Sequence, residues 1–247
     1  MRKSNARAHR PGVFFLAAIL FLIAHPAPES QALNIVDVSG DVEAFSKSGN
    51  MDAVATLAAF NPDLAAGIAK IAVETQPGLA KVVVDRIAGI VPARAADIAG
   101  NVAGAAPDQA ADIAGWAASA VPGAAADIAA GVAKQVPDQA PAVAGWIAKK
   151  MPATEAAGIA GRIARVVPRE YAAAVAGSVA GAAPPEYAAD IAAGVASAVP
   201  AEAVAIADRV ASAVPSATAE IAVRVAQAAP DQTVAIAGWV AGKIPKE

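Results

Sequence analysis

The chain reads as all-α: an α-solenoid of tandem single-helix units, stacked antiparallel, with two units to a helical hairpin of about thirty residues. Three observations predict it. Prolines stand at 62, 77, 92, 107, 122, 137 and 152, then at 168, 184 and 200, then at 215, 230 and 245, so the unit is fifteen residues, sixteen across three units, and fifteen again. Between prolines the phrase is roughly Pro-x-x-Ala-Ala-Asp-Ile-Ala-Gly-x-Val-Ala-x-x-Val, clearest in Pro107 to Val121. Numbered from the proline, apolar residues recur at positions 4, 7, 8, 11 and 15, the spacing of one helix face, with no period-two alternation.

Each unit predicts a helix of about ten to twelve residues and a tight turn, because the proline fits the first helical position and expels the residue before it from the helical region. Asp108, Asp138 and Asp231 follow prolines, while Lys134, Lys149, Lys150, Arg165 and Lys243 gather near helix ends. That polarity suits the helix dipole. One long helix kinked at every proline is the rival, and it loses about 3 kcal/mol at each interior proline.

Short alanine-rich helices are marginal alone, so each must bury its larger apolar residues against neighbours. The predicted core is Ile98 and Val102, Ile113, Ile128 and Val132, Val143, Ile159 and Ile163, Val175 and Val179, Ile191 and Val195, Ile206 and Val210, Ile221 and Val225, Ile236 and Val240. Positions 2, 6, 9 and 13 fall on the solvent side of the wheel. Glycine recurs at position 9 (Gly100, Gly115, Gly145, Gly161, Gly177, Gly238), where the wheel gives it no packing reason.

Three regions follow. Residues 1–32 read as a signal peptide: Arg2, Lys3, Arg7 and Arg10, then the apolar run Val13 to Ala24, then Ser30-Gln31-Ala32, predicting cleavage between Ala32 and Leu33. A retained N-terminal anchor is the alternative. Residues 33–61 read as a lead-in and capping helix. Leu33 to Val38 is expected extended, Gly40, Ser46, Ser48 and Gly49 irregular, and Asn50 a helix cap ahead of Val54, Leu57 and Phe60. Residues 62–247 form a twelve-unit alanine-rich repeat domain, degenerate at Pro62 and Pro77; the sixteen-residue units lengthen their entry turn.

Four of the 19 basic and one of the 22 acidic residues lie in 1–32, leaving 15 against 21 and a net charge of −6. Both histidines lie there too, and the chain has no cysteine. Residues 33–247 therefore lack the usual zinc and thiolate ligands and most nucleophile–base pairs. No metal, no cofactor and no enzymatic activity are expected. The recurring Asp97, Asp112, Asp127 and Asp190, with Glu220 in register, read as solubilising cover, since calcium needs several converging oxygens. Within residues 33–247 the longest uncharged stretch, Tyr171 to Pro185, is fifteen residues and broken by proline and glycine, too short to span a membrane.

Pro107-Asp108-Gln109 with Ile113-Ala114, and Pro230 to Ala237, resemble the opening helix of repeats in TAL-effector-like DNA-binding proteins. The likeness covers about eight residues per unit and reflects shared helix-start chemistry. That family's repeats are about twice as long, and its glycine-rich base-reading loop has no counterpart near Gly238-Trp239. A net charge of −6 also lacks the phosphate-neutralising term, so no nucleic-acid partner is expected.

Trp116, Trp146 and Trp239 all occupy position 10 of even-numbered units, with Arg86 and Arg209 at the same position of other even units. In a two-layer stack they share one face, and aromatic and arginine side chains are what a binding surface uses. Shoulder packing between helices competes with that reading. The sequence predicts a secreted or periplasmic, non-catalytic scaffold for a protein or polymer partner, possible self-association through the ends included. The alternative is a peripheral lipid-associated protein of proline-punctuated amphipathic helices.

Overall fold

The computed structural model describes residues 34–243. Within them, α1 (Ile35–Lys47) and α2 (Met51–Phe60) precede α3 (Ala65–Thr75), α4 (Ala80–Ile90), α5 (Ala95–Ala105), α6 (Ala110–Ala120) and α7 (Ala125–Gln135). Then come α8 (Ala140–Lys150), α9 (Ala156–Ala164), α10 (Ala172–Ala182), α11 (Ala188–Ala198), α12 (Ala203–Ala213), α13 (Thr218–Ala228) and α14 (Thr233–Lys243). No strand occurs among the described residues.

One residue reverses the chain between units. The N–H of Val121 donates to the carbonyl of Ala117 (2.9 Å) and closes α6, and the carbonyl of Val121 accepts from Ala124 N–H (3.0 Å) to open the next turn. Its backbone lies outside the helical region (φ −135°, ψ 73°), as the following proline demands. Pro122 then starts a three-residue 3-10 turn, where its missing N–H has no partner to lose, and α7 begins at Ala125. The same arrangement recurs before α3 to α8 and α12 to α14. In the sixteen-residue units Pro152, Pro168 and Pro184 stand one step earlier, as extended caps (ψ 135°, 140° and 144°), so the extra residue lengthens the entry turn.

Odd-numbered helices form one layer and even-numbered helices the other, the repeating contact being between a helix and the one two further along. The core lies between the layers. The predicted core residues from Ile98 to Ile236 are all buried, whereas Val240, on α14, is half-buried.

Two expectations are corrected. Leu33 to Val38 was expected extended and Gly40 and Ser46 irregular; instead α1 runs from Ile35 through both. Asn34 N–H donates to the Asp37 carboxylate (2.9 Å), tying the first turn, and Val38, Val42 and Ser46, four residues apart, form the buried stripe. Asn50 does cap α2, its side chain accepting from Ala53 N–H at 3.2 Å. The second correction concerns position 9. On inner helices it does not face solvent: Gly100, Gly115, Gly161 and Gly177 are buried and Gly145 partly so, because each inner helix is flanked by two neighbours of its own layer as well as by the opposite layer, whereas Gly238 on α14 is exposed.

Candidate functional site: the seam between helices of one layer

Within a layer, position 9 of one helix meets position 10 of the helix two units on. Where both are glycine the backbones touch. A Cβ at Gly100 on α5 would lie 2.8 Å from the Gly131 carbonyl oxygen on α7, and one at Gly131 would lie 2.6 Å from the Ala96 carbonyl oxygen. Gly161 and Gly194 repeat this between α9 and α11, at 3.1 Å and 3.0 Å. This close approach is the packing reason for glycine at Gly100 and Gly161.

In the even layer, position 10 carries larger side chains, and they lie back over position 9 of the preceding helix. The six-membered ring of Trp146 covers Gly115, and the Arg209 stem covers Gly177, where a Cβ would meet its Cγ at 2.7 Å. Asp208 replaces glycine on α12, and Trp239 on α14 donates its Nε1–H to that carboxylate at 2.9 Å. Trp116 on α6 has the Lys81 ammonium of α4 5.9 Å from its ring centroid, and Lys150 stands 5.5 Å from the Trp146 ring. The three tryptophans are half-buried against the core, and Arg86 and Arg209 are exposed. Arg86, Trp116, Trp146, Arg209 and Trp239 thus stand in one register along α4, α6, α8, α12 and α14. Ser178 occupies the position on α10.

Arginine at position 10 also reaches an aspartate on the helix two back in the same layer, at position 6 where that helix belongs to a repeat unit. The ion pairs are Arg86 with Asp52, Arg162 with Asp127, and Arg224 with Asp190. The recurring aspartates are therefore seam partners where an arginine follows, in addition to being polar cover. Asp97, opposite Gly131, turns to Arg94 in its own entry turn (3.5 Å). A sequence signal existed: an acid and an arginine 34 or 35 residues apart, in fixed register.

Two charged groups are shifted by these contacts. The Lys243 ammonium (2.6 Å) and the Trp239 N–H hold the Asp208 carboxyl below the usual aspartate range. The hydrogen bond and charge of Asp63 raise Arg94 further above its ordinary value.

Among the described residues no group of three His, Cys, Asp or Glu is placed to hold a metal ion. A shallow groove between α2 and α4 is lined by Asp52, Thr56, Asp85, Arg86, Gly89 and Ile90. Its carboxylates are already engaged, Asp52 with Arg86 and Asp85 with Lys81. No helix among the described residues is long and apolar enough to cross a membrane. The class the geometry defines is a helical-hairpin solenoid. No family model matches the chain, and no curated protein or solved structure matches it either.

Proposed function

We propose that this chain is an exported, non-catalytic scaffold that presents the outer surface of its even-numbered helices to a protein or polymer partner, and that its stack self-associates through an end. The observation that carries the reading is the single register shared by Arg86, Trp116, Trp146, Arg209 and Trp239 on one layer. A regular solenoid displays such a row over a long surface, and half-exposed aromatic and arginine side chains supply contact area at low entropic cost. Export rests on the basic and apolar segments before Ala32. The lipid-wrapping alternative gains no support, since it needs the apolar helix faces that here lie between the layers.

The test places a photo-crosslinking residue at Asp112 or Lys149, on the even layer, and at Lys134, on the odd layer, in cells making the protein. A discrete adduct from the even positions alone is expected. Equal adducts from both layers, or none from either, would overturn the surface assignment. Mass spectrometry of the recovered chain should give a start at Leu33, and an unprocessed chain retained in the cytoplasm would sink the export part.

A further inference from the structure

We infer that the outer face of α8, α10 and α12 binds an extended acidic peptide segment, with Lys149, Lys150 and Arg209 holding its carboxylates. This names the chemistry of the partner at the even-layer surface and rests on that reading of the surface. Elsewhere the array neutralises its cations with regularity. Arg86, Arg162 and Arg224 each reach back to an aspartate two helices earlier, and Lys47, Lys70, Lys81 and Lys243 each meet a carboxylate on their own helix or across the seam. Arg209 breaks the pattern. The residue in register on α10 is Ala174, where an aspartate would stand. The Arg209 side chain crosses Gly177, with its Nε 3.3 Å from where a Cβ would be, and ends over α10 with no carboxylate partner among the described residues. Lys149 and Lys150, at the end of α8, lack one as well, and Glu155 of the following turn pairs with neither.

The carboxylates of these three helices do not offset the patch. Asp138, Glu170 and Glu202 lie in the entry turns, at the far ends from Lys149 and Lys150, and Asp208 is held by Trp239 and Lys243. The patch is therefore locally positive, although residues 33–247 carry a net charge of −6. Exposed cations without a counter-charge attract an anion, and a guanidinium fork suits a carboxylate. Arg209 over α10 and Lys149 on α8 stand about one helix spacing apart, roughly 8–10 Å. On a peptide in the polyproline II conformation, carboxylates at every third residue fall on one side about 9 Å apart, which matches. Between the cations α10 offers only Ala174, Ser178 and Gly181, so a backbone can lie close. Trp146 disfavours a sugar polymer. Its six-membered ring fills the space over Gly115 and Lys150 stands 5.5 Å from its centroid, so a stacking sugar ring would have to displace that lysine.

Fluorescence anisotropy on the chain as the cell processes it reads the outcome, with a fluorescein-labelled peptide of Glu-Pro-Pro repeats, about ten residues long so that it spans the face. Binding at low salt should fade as salt is raised. Arg209→Gln and Lys149→Gln should each weaken it roughly two- to five-fold, and more together. Lys134→Gln and Arg165→Gln remove the same charge from unpaired cations of the odd layer and should change nothing. No binding up to about 1 mM, equal losses from the odd-layer variants, or a Gln-Pro-Pro peptide that binds as well would each overturn the inference. Polygalacturonate held more tightly than the peptide, and lost with the same two side chains, would overturn it in favour of an anionic sugar polymer. An Asp112 crosslink that persists in the Arg209→Gln, Lys149→Gln chain would overturn this inference alone, whereas no adduct from the parent chain would remove the surface reading beneath it.

Discussion

The indole of Trp146 lies over the backbone of Gly115, one helix pair earlier in the same layer, so the tryptophan's place is reserved by the absence of a side chain 31 residues before it. The relation recurs along the even layer: the Arg209 stem lies over Gly177, and where Asp208 stands at position 9 the large residue opposite, Trp239, hydrogen-bonds to it.

Alanine at glycine positions should sort by what stands opposite. Gly131→Ala drives a methyl into the Ala96 carbonyl, which cannot move without separating α5 from α7, and should cost about 1–3 kcal/mol despite alanine's better helix propensity. At Gly177 the obstacle is the Arg209 side chain, met at its Cγ (2.7 Å), which can turn aside where a carbonyl cannot, and a smaller loss than at Gly131 is expected. Gly158→Ala, in open space on α9, should stabilise by about 0.5–1 kcal/mol. Chemical denaturation of the three variants checks the order.

Truncation of the core should depend on position in the stack. Ile128 on α7 is fully buried with same-layer neighbours on both sides, so Ile128→Ala should cost about 2–5 kcal/mol. Val240, half-buried on α14, should cost clearly less than fully buried Val132 when each is changed to alanine. Equal losses at Val132 and Val240, measured by urea unfolding, would contradict a stack loaded from both sides in its interior.

The Asp127–Arg162 pair is about half exposed at both partners. A double-mutant cycle should therefore return a coupling of only about 0.2–1 kcal/mol, fading as salt is raised. The ladder fixes register more than it adds stability.

Asp208 should titrate below a normal aspartate, because Lys243 and Trp239 both favour its charged form. A group whose folded value is depressed contributes stability above its unfolded value, and that contribution is lost as pH falls through the folded one. Acid titration of the Asp208 carboxyl by NMR should show the depressed midpoint, and Asp208→Asn should remove the acid-dependent part of the unfolding curve assignable to α14. A normal midpoint would mean that Lys243 and Trp239 do not hold the carboxylate in solution.

Ser46 is fully buried on α1, and its hydroxyl has no hydrogen-bond partner among the described residues. Ser46→Ala should be neutral or stabilising by up to about 1 kcal/mol in thermal unfolding, since it removes an unsatisfied polar atom at little change in volume.

Much of the fold was legible because its determinants are local. Each proline sets where a helix begins and forbids the preceding residue from continuing the last one, and the Ile–Val spacing sets which face turns inward. The lead-in was misread because Gly40 and Ser46 look like breakers, while the Asn34–Asp37 bond and the Val38–Val42–Ser46 stripe hold the helix through them.

What the sequence by itself determined, then, is the repeat, the helix lengths, the turn chemistry and the buried isoleucines. What only the tertiary structure decided is the seam: why position 9 is glycine, which aspartates meet arginines, and that the tryptophans of α6, α8 and α14 lie along the even-layer seam. A helical wheel has one inside and one outside. A helix in a two-layer stack has three buried sides, and the residues that meet across two of them come from units about thirty residues away, beyond the reach of any local pattern.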